Sequence, residues 1–184
     1  MVSESPLEST EHGLVPKGKG WFVLNAREAA WIDRKGRGFY CEFEGEADFS
    51  QLGINLRVLA PGEPMAMYHR ENDQEDFLVL AGEALLIVEG DERPLRQWDF
   101  VHCPPGTNHV IVGAGDSRCL VLAVGARERS TGPDWAPIPS MKPPSATAPA
   151  SSRKRPIGSR RIHDSPPGNE SLTAKSGSAR PRRP

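Results

Sequence analysis

From residue 39 to residue 125 the chain is cut, at intervals of roughly ten residues, by turn signals rich in Gly and Pro, and the pieces between the cuts are short apolar runs. F-Y-C-E-F (39–43) ends at Glu44-Gly45, I-N-L-R-V-L (54–59) at Pro61-Gly62, F-L-V-L (77–80) at Ala81-Gly82, and A-L-L-I-V (84–88) at Glu89-Gly90-Asp91. D-F-V-H-C (99–103) ends at Pro104-Pro105-Gly106, H-V-I-V (109–112) at Gly113-Ala114-Gly115, and C-L-V-L-A-V (119–124) at Gly125. Runs of four to six residues are the length of strands and too short for ordinary helices. β-branched and aromatic enrichment supports the same reading, and no long segment of helical period competes with it. The spacing predicts an all-β sandwich or barrel over residues 20–129, a length sufficient for one such domain.

The flanks read differently. Residues 1–19 are predicted to be a flexible N-terminal lead. W-F-V-L-N (21–25) is a short strand candidate, and Asn25 with Glu28 fits a capping box that would open a brief helical turn over residues 26–31. Beyond residue 129 lie 11 of the 18 prolines, mixed with Ser, Ala, Gly, Arg and Lys and almost no aromatic residue. Such a segment cannot bury enough apolar surface to offset its ordering entropy, so residues 130–184 are predicted to be a disordered tail.

Charge divides along the same line. Residues 130–184 hold ten Lys or Arg and three Asp or Glu, about +7, which leaves 13 basic against 21 acidic side chains, about −8, for residues 1–129. The basic cluster Arg153, Lys154, Arg155, Arg160 and Arg161 has no interleaved aromatic to stack on a base, which argues against nucleic acid as a partner; a solvated extension is the simpler expectation. Cys41, Cys103 and Cys119 give an odd count with no CxxC, which supports neither a disulfide framework nor a thiolate zinc site. With no apolar leader and no stretch approaching membrane length, the expectation is a soluble cytoplasmic protein without a membrane partner.

The chemistry is concentrated between residues 61 and 109. His69 and Glu71, separated by one residue, share a face of any strand. Glu75 follows a three-residue turn and begins the next strand, and His109 stands just past Pro104-Pro105-Gly106. Two imidazoles and one or two carboxylates converging on one barrel mouth are a donor set for a divalent transition metal with open positions. Each residue also has a structural reading: His69 as an exposed strand residue, Glu75 as a turn cap, and the barrel as a whole without metal. Lower candidates are Tyr68, as a proton donor beside the metal or simply a packed side chain, and Arg57, as a contact for an anionic substrate, with its facing undetermined. Of His102 and Cys103 only one can point inward, and Trp98 is placed to cover a barrel edge or an interface.

These residues resemble the two motifs of the cupin superfamily, as a small single-domain cupin with the conserved jelly-roll barrel. Gly62 opens the first motif, and Glu75 is followed by six residues and Gly82, as in the family. The second matches at Pro104, Gly106 and His109, with Trp98 where the family has Gly and Gly113 where it has Asn. The departure is at the histidine pair: without a gap its positions are Tyr68 and Arg70, whereas a one-residue slip gives His69 and Glu71, with a bulge in residues 65–68 absorbing the extra residue. The slipped register is preferred because it aims the imidazole into the cavity. The resemblance implies a metal site of His69, Glu71, Glu75 and His109 holding Fe, Mn, Ni or Zn. Its functions span dioxygenases, decarboxylases, isomerases and cyclase-like proteins acting on a small organic substrate, and non-catalytic ligand- or metal-sensing modules. If the barrel is catalytic, Glu71 or Glu75 is placed to exchange protons. A homodimer covering an open sheet edge is the expected assembly.

Overall fold

The computed structural model describes residues 1–127 and 135–137. β1 (Leu7–Thr10) and β2 (Gly13–Pro16) form a hairpin. The remaining strands are β3 (Ile32–Asp33), β4 (Phe39–Glu42), β5 (Leu52–Leu59), β6 (His69–Glu71), β7 (Glu75–Ala81) and β8 (Glu83–Val88), followed by β9 (Asp91–Arg96), β10 (Phe100–Cys103), β11 (His109–Ala114), β12 (Cys119–Ala126) and β13 (Trp135–Pro137). They make a six-stranded sheet, β10-β7-β12-β5-β4-β3, and a five-stranded sheet, β13-β6-β11-β8-β9. Among the described residues the sole helix is the 3₁₀ turn Gly45–Ala47, so the chain folds as an all-β jelly-roll barrel. All seven apolar runs between residues 39 and 124 lie largely or wholly within strands.

The core lies between the two sheets. Phe77, Val79, Val101, Val121 and Ala123 of the first sheet meet Ala84, Leu86 and Ile111 of the second, with Leu59, Met65, Cys103 and Cys119 among them. A fully buried Phe such as Phe77 contributes roughly 1.5–3 kcal/mol by leaving water. Alternate residues of β12, Leu120 and Leu122, turn to the outer face and pack with Cys41, Leu56, Leu24, Ala29 and Trp31. Apolar cover on both faces is why C-L-V-L-A-V reads as an unbroken hydrophobic run.

The segment before the barrel departs from expectation. W-F-V-L-N is not a strand; residues 24–31 instead lie over the outer face of the six-stranded sheet. Asn25 caps a single turn, its Oδ1 accepting from the Arg27 amide at 3.0 Å and its carbonyl from the Glu28 amide at 2.9 Å. The helix goes no further because β2 takes the next groups: the Leu14 amide donates to Glu28 O at 2.7 Å and the Ala30 amide to Leu14 O at 3.0 Å. Nor is the lead over residues 1–19 simply flexible, since it contains the β1–β2 hairpin. Ser5 ties it down: its amide donates to Trp21 O at 2.8 Å and its buried hydroxyl oxygen accepts from the Gly20 amide at 2.7 Å. The tail expected over residues 130–184 lies outside the described residues except for β13, which pairs with the edge of β6 where disorder was expected. A short strand edge offers unpaired N–H and C=O groups, and β13 satisfies those of β6.

Candidate metal centre

Pairing of β6 with β11 sets His69 directly opposite His109, so both imidazoles leave the same face of the five-stranded sheet, with ring centroids 4.9 Å apart. The approach to β6 is irregular. Between the Pro64–Val112 bridge and the His69–His109 pair the first strand takes five steps and the second three, a surplus of two residues where a one-residue bulge was expected. That surplus places His69 and Glu71 inward and Arg70 outward. Tyr68 goes to the opposite side. It packs on Ile87, Val110 and Val112, and its hydroxyl oxygen accepts from the Gly90 amide at 3.1 Å. The proton-donor role considered for Tyr68 is therefore not available to it; the packed reading describes it.

Glu75, at the start of β7, reaches across from the other sheet, its Oε2 3.0 Å from His109 Nε2 and 4.0 Å from His69 Nε2. Glu71 Oε1 stands 3.1 Å from His69 Nε2. His69, Glu75 and His109 each offer one ligand atom, all within 4.8 Å of one another. The outer ring nitrogens are fixed: His69 Nδ1 donates to Met67 O at 2.7 Å and His109 Nδ1 to Thr107 O at 2.9 Å. A backbone acceptor on Nδ1 sets ring orientation and leaves Nε2 facing the cavity, the arrangement typical of metal-ligating histidines.

His109 is almost completely buried. Burial, the largest influence, disfavours its charged form, but hydrogen bonds with Cys103 and Glu75, and with the Thr107 carbonyl, outweigh it and push the imidazole up to about 10. Cys103 is thus the inward member of its pair, beside His109, while His102 is exposed with Nδ1 2.6 Å from Asp76 Oδ1. The parity of Cys103, one residue from His102, permitted the inward facing, and its closeness to His109 depends on β10 pairing with β7.

The donors open into a cavity of about 230 Å³. Arg57 lines it, as does Asn55, because their cross-strand partners Val121 and Ala123 belong to the core. Arg57 Nε donates to Asn55 Oδ1 at 3.1 Å, and its guanidinium carbon lies 4.2 Å from the Tyr40 ring centroid. Burial pulls Arg57 below the usual guanidinium range. Arg37 and Phe77 also line the cavity. Asn55 and Arg37 were not singled out from the sequence; the i, i+2 relation of Asn55 to Arg57 was the available signal.

Trp98, at the second motif's glycine position, has φ 73° and is exposed. Gly113, at its asparagine position, is required here by contact, since a Cβ would run into the carbonyl oxygen of Ala60.

The cupin domain family matches residues 55–125. No curated protein sequence gives a significant match. Among solved structures, KdgF from Halomonas sp. is similar at 22% identity and TM-score 0.51, covering 60% of this chain and 96% of its own. The polyketide cyclase RemF from Streptomyces resistomycificus is similar at 15% identity and TM-score 0.51, covering 58% and 80%. A sugar phosphate isomerase from Silicibacter pomeroyi DSS-3 aligns at 25% identity and TM-score 0.49, covering 57% and 75%. The first two likenesses establish the fold.

Proposed function

We propose, on the premise that residues 55–125 form a cupin domain, that this protein binds one divalent transition metal through His69, Glu75 and His109 and acts on a small organic substrate in the adjoining cavity. The observation that carries the reading is the pinning of both Nδ1 atoms to backbone carbonyls, which turns both Nε2 atoms toward the Glu75 carboxylate. Two nitrogens and a carboxylate oxygen suit Fe(II), Mn(II), Ni(II) or Zn(II). When bound, such an ion supplies Lewis acidity to a substrate oxygen.

The chain's own groups divide the remaining work. Glu71 stands outside the three-residue cluster but within hydrogen-bond distance of His69, and it is more exposed than Glu75. It is the fourth donor or the group that carries a proton to or from substrate. Phe77, its ring centroid 5.4 Å from that of His109, shields that imidazole from water. The reaction falls among the dioxygenase, isomerase and cyclase-like chemistries of this fold.

Elemental analysis of the purified, reconstituted full chain tests the assignment. About one metal per chain is expected, with His69→Ala and His109→Ala each reducing it at least tenfold, since losing even a supporting contact costs roughly 10–100-fold in affinity. Glu71→Gln is expected to keep the metal and impair turnover. Absence of metal from the reconstituted wild type would overturn the reading.

A further inference from the structure

The cavity that holds the donors also carries positive charge that the fold itself does not use. Arg57 is held at two points, by the Asn55 side chain at Nε and by the face of Tyr40, so its fork has a fixed direction. Among the described residues no carboxylate forms an ion pair with it, and its terminal nitrogens donate no hydrogen bond to protein. Glu75 acts on it only by longer-range attraction. A half-buried guanidinium without a counter-ion is costly unless a ligand supplies the charge. Arg37 adds a second cation to the same cavity, and Arg34, its guanidinium carbon 5.0 Å from the Tyr40 ring centroid, a third nearby.

We infer that the cavity takes a small organic acid whose carboxylate is held by the terminal nitrogens of Arg57, with Arg37 beside it, while the rest of the molecule extends toward His69, Glu71 and Glu75. One fixed guanidinium edge offers two parallel N–H donors, which match the two oxygens of a planar carboxylate. A volume of about 230 Å³, below the usual range of ligand pockets, suits a small ligand. The six-stranded sheet supplies Asn55, Arg57 and, two strands away, Glu75, whereas His69, Glu71 and His109 come from the five-stranded sheet. A ligand bound in this way enters in one orientation, with the end remote from Arg57 at the donors. The inference names the substrate class of the site proposed above and rests on that reading only for the second contact.

Calorimetric titration of malonate, succinate and inorganic phosphate into the full chain, both as purified and after loading with Mn(II), provides the test. Malonate or succinate is expected to bind more tightly than phosphate, and neutral dimethyl malonate not to bind. Arg57→Gln is expected to weaken carboxylate binding about tenfold or more, the usual scale for one charge-assisted pair, with Arg57→Lys intermediate and metal content unchanged. Equal binding of dimethyl malonate, preference for phosphate, no carboxylate binding, or unchanged affinity in Arg57→Lys and Arg57→Gln each overturns the inference. The dimethyl malonate comparison needs no variant, so it stands even if a substitution at Arg57 impairs folding. Failure to take up metal, with Arg57-dependent malonate binding intact, would instead sink the metal assignment alone.

Discussion

At Trp98 the chain holds a bulky side chain in the left-handed region, with φ 73°, because the turn from Arg96 to Asp99 closes there: the Asp99 amide donates to Arg96 O at 3.0 Å and the Trp98 amide to Val79 O at 2.8 Å. Left-handed backbone costs a non-glycine residue about 1–2 kcal/mol. Because the indole is largely exposed, little burial is lost on its removal. Trp98→Gly should therefore raise stability by roughly 0.5–1 kcal/mol in urea unfolding, after glycine's own entropic penalty; a loss would show that the indole has a partner. Residue identity was legible at this scale wherever spacing alone decided it. Glu75 and His109 fall at motif intervals and meet in space, whereas Tyr68 and His69 differ by one step on an irregular segment whose surplus of two residues no local pattern announces.

Elements are joined at their ends by few but specific contacts. Past the end of β12, Arg127 donates from Nη1 and Nη2 to the two oxygens of Glu44 at 2.8 and 2.6 Å, and from Nη1 to Phe49 O at 2.7 Å, fixing that end to the loop after β4. Both side chains are mostly shielded from solvent, which makes the fork stronger than an exposed pair. Arg127→Gln is expected to cost about 1–3 kcal/mol by urea denaturation; a cost indistinguishable from zero would place the pair among inert surface contacts. Strands with continuous apolar runs, such as β12, could be read directly. β9, D-E-R-P-L-R, and β13 could not, because each is an edge strand at an end of its sheet and its order comes from one neighbour rather than from its own pattern.

Over the whole molecule, Cys41, Cys103 and Cys119 are all buried free thiols, with Cys41 pushed up to about 11 by burial and then by Glu42. The folded protein should resist iodoacetamide in mildly alkaline buffer and gain three adducts by mass spectrometry in urea, since only the exposed thiolate reacts; rapid native labelling would mean that the barrel opens locally. The barrel was legible from residue 39 onward because the turn punctuation is regular there. The β1–β2 hairpin was not, because polar residues order it through backbone pairing with residues 20–30. The donor cluster draws its two imidazoles from the five-stranded sheet and its carboxylate from the six-stranded one. An ion held there would staple the two layers at their open mouth. The barrel's resistance to unfolding would then follow metal supply by mass action, gaining about 2.7 kcal/mol when free metal exceeds its dissociation constant roughly a hundredfold.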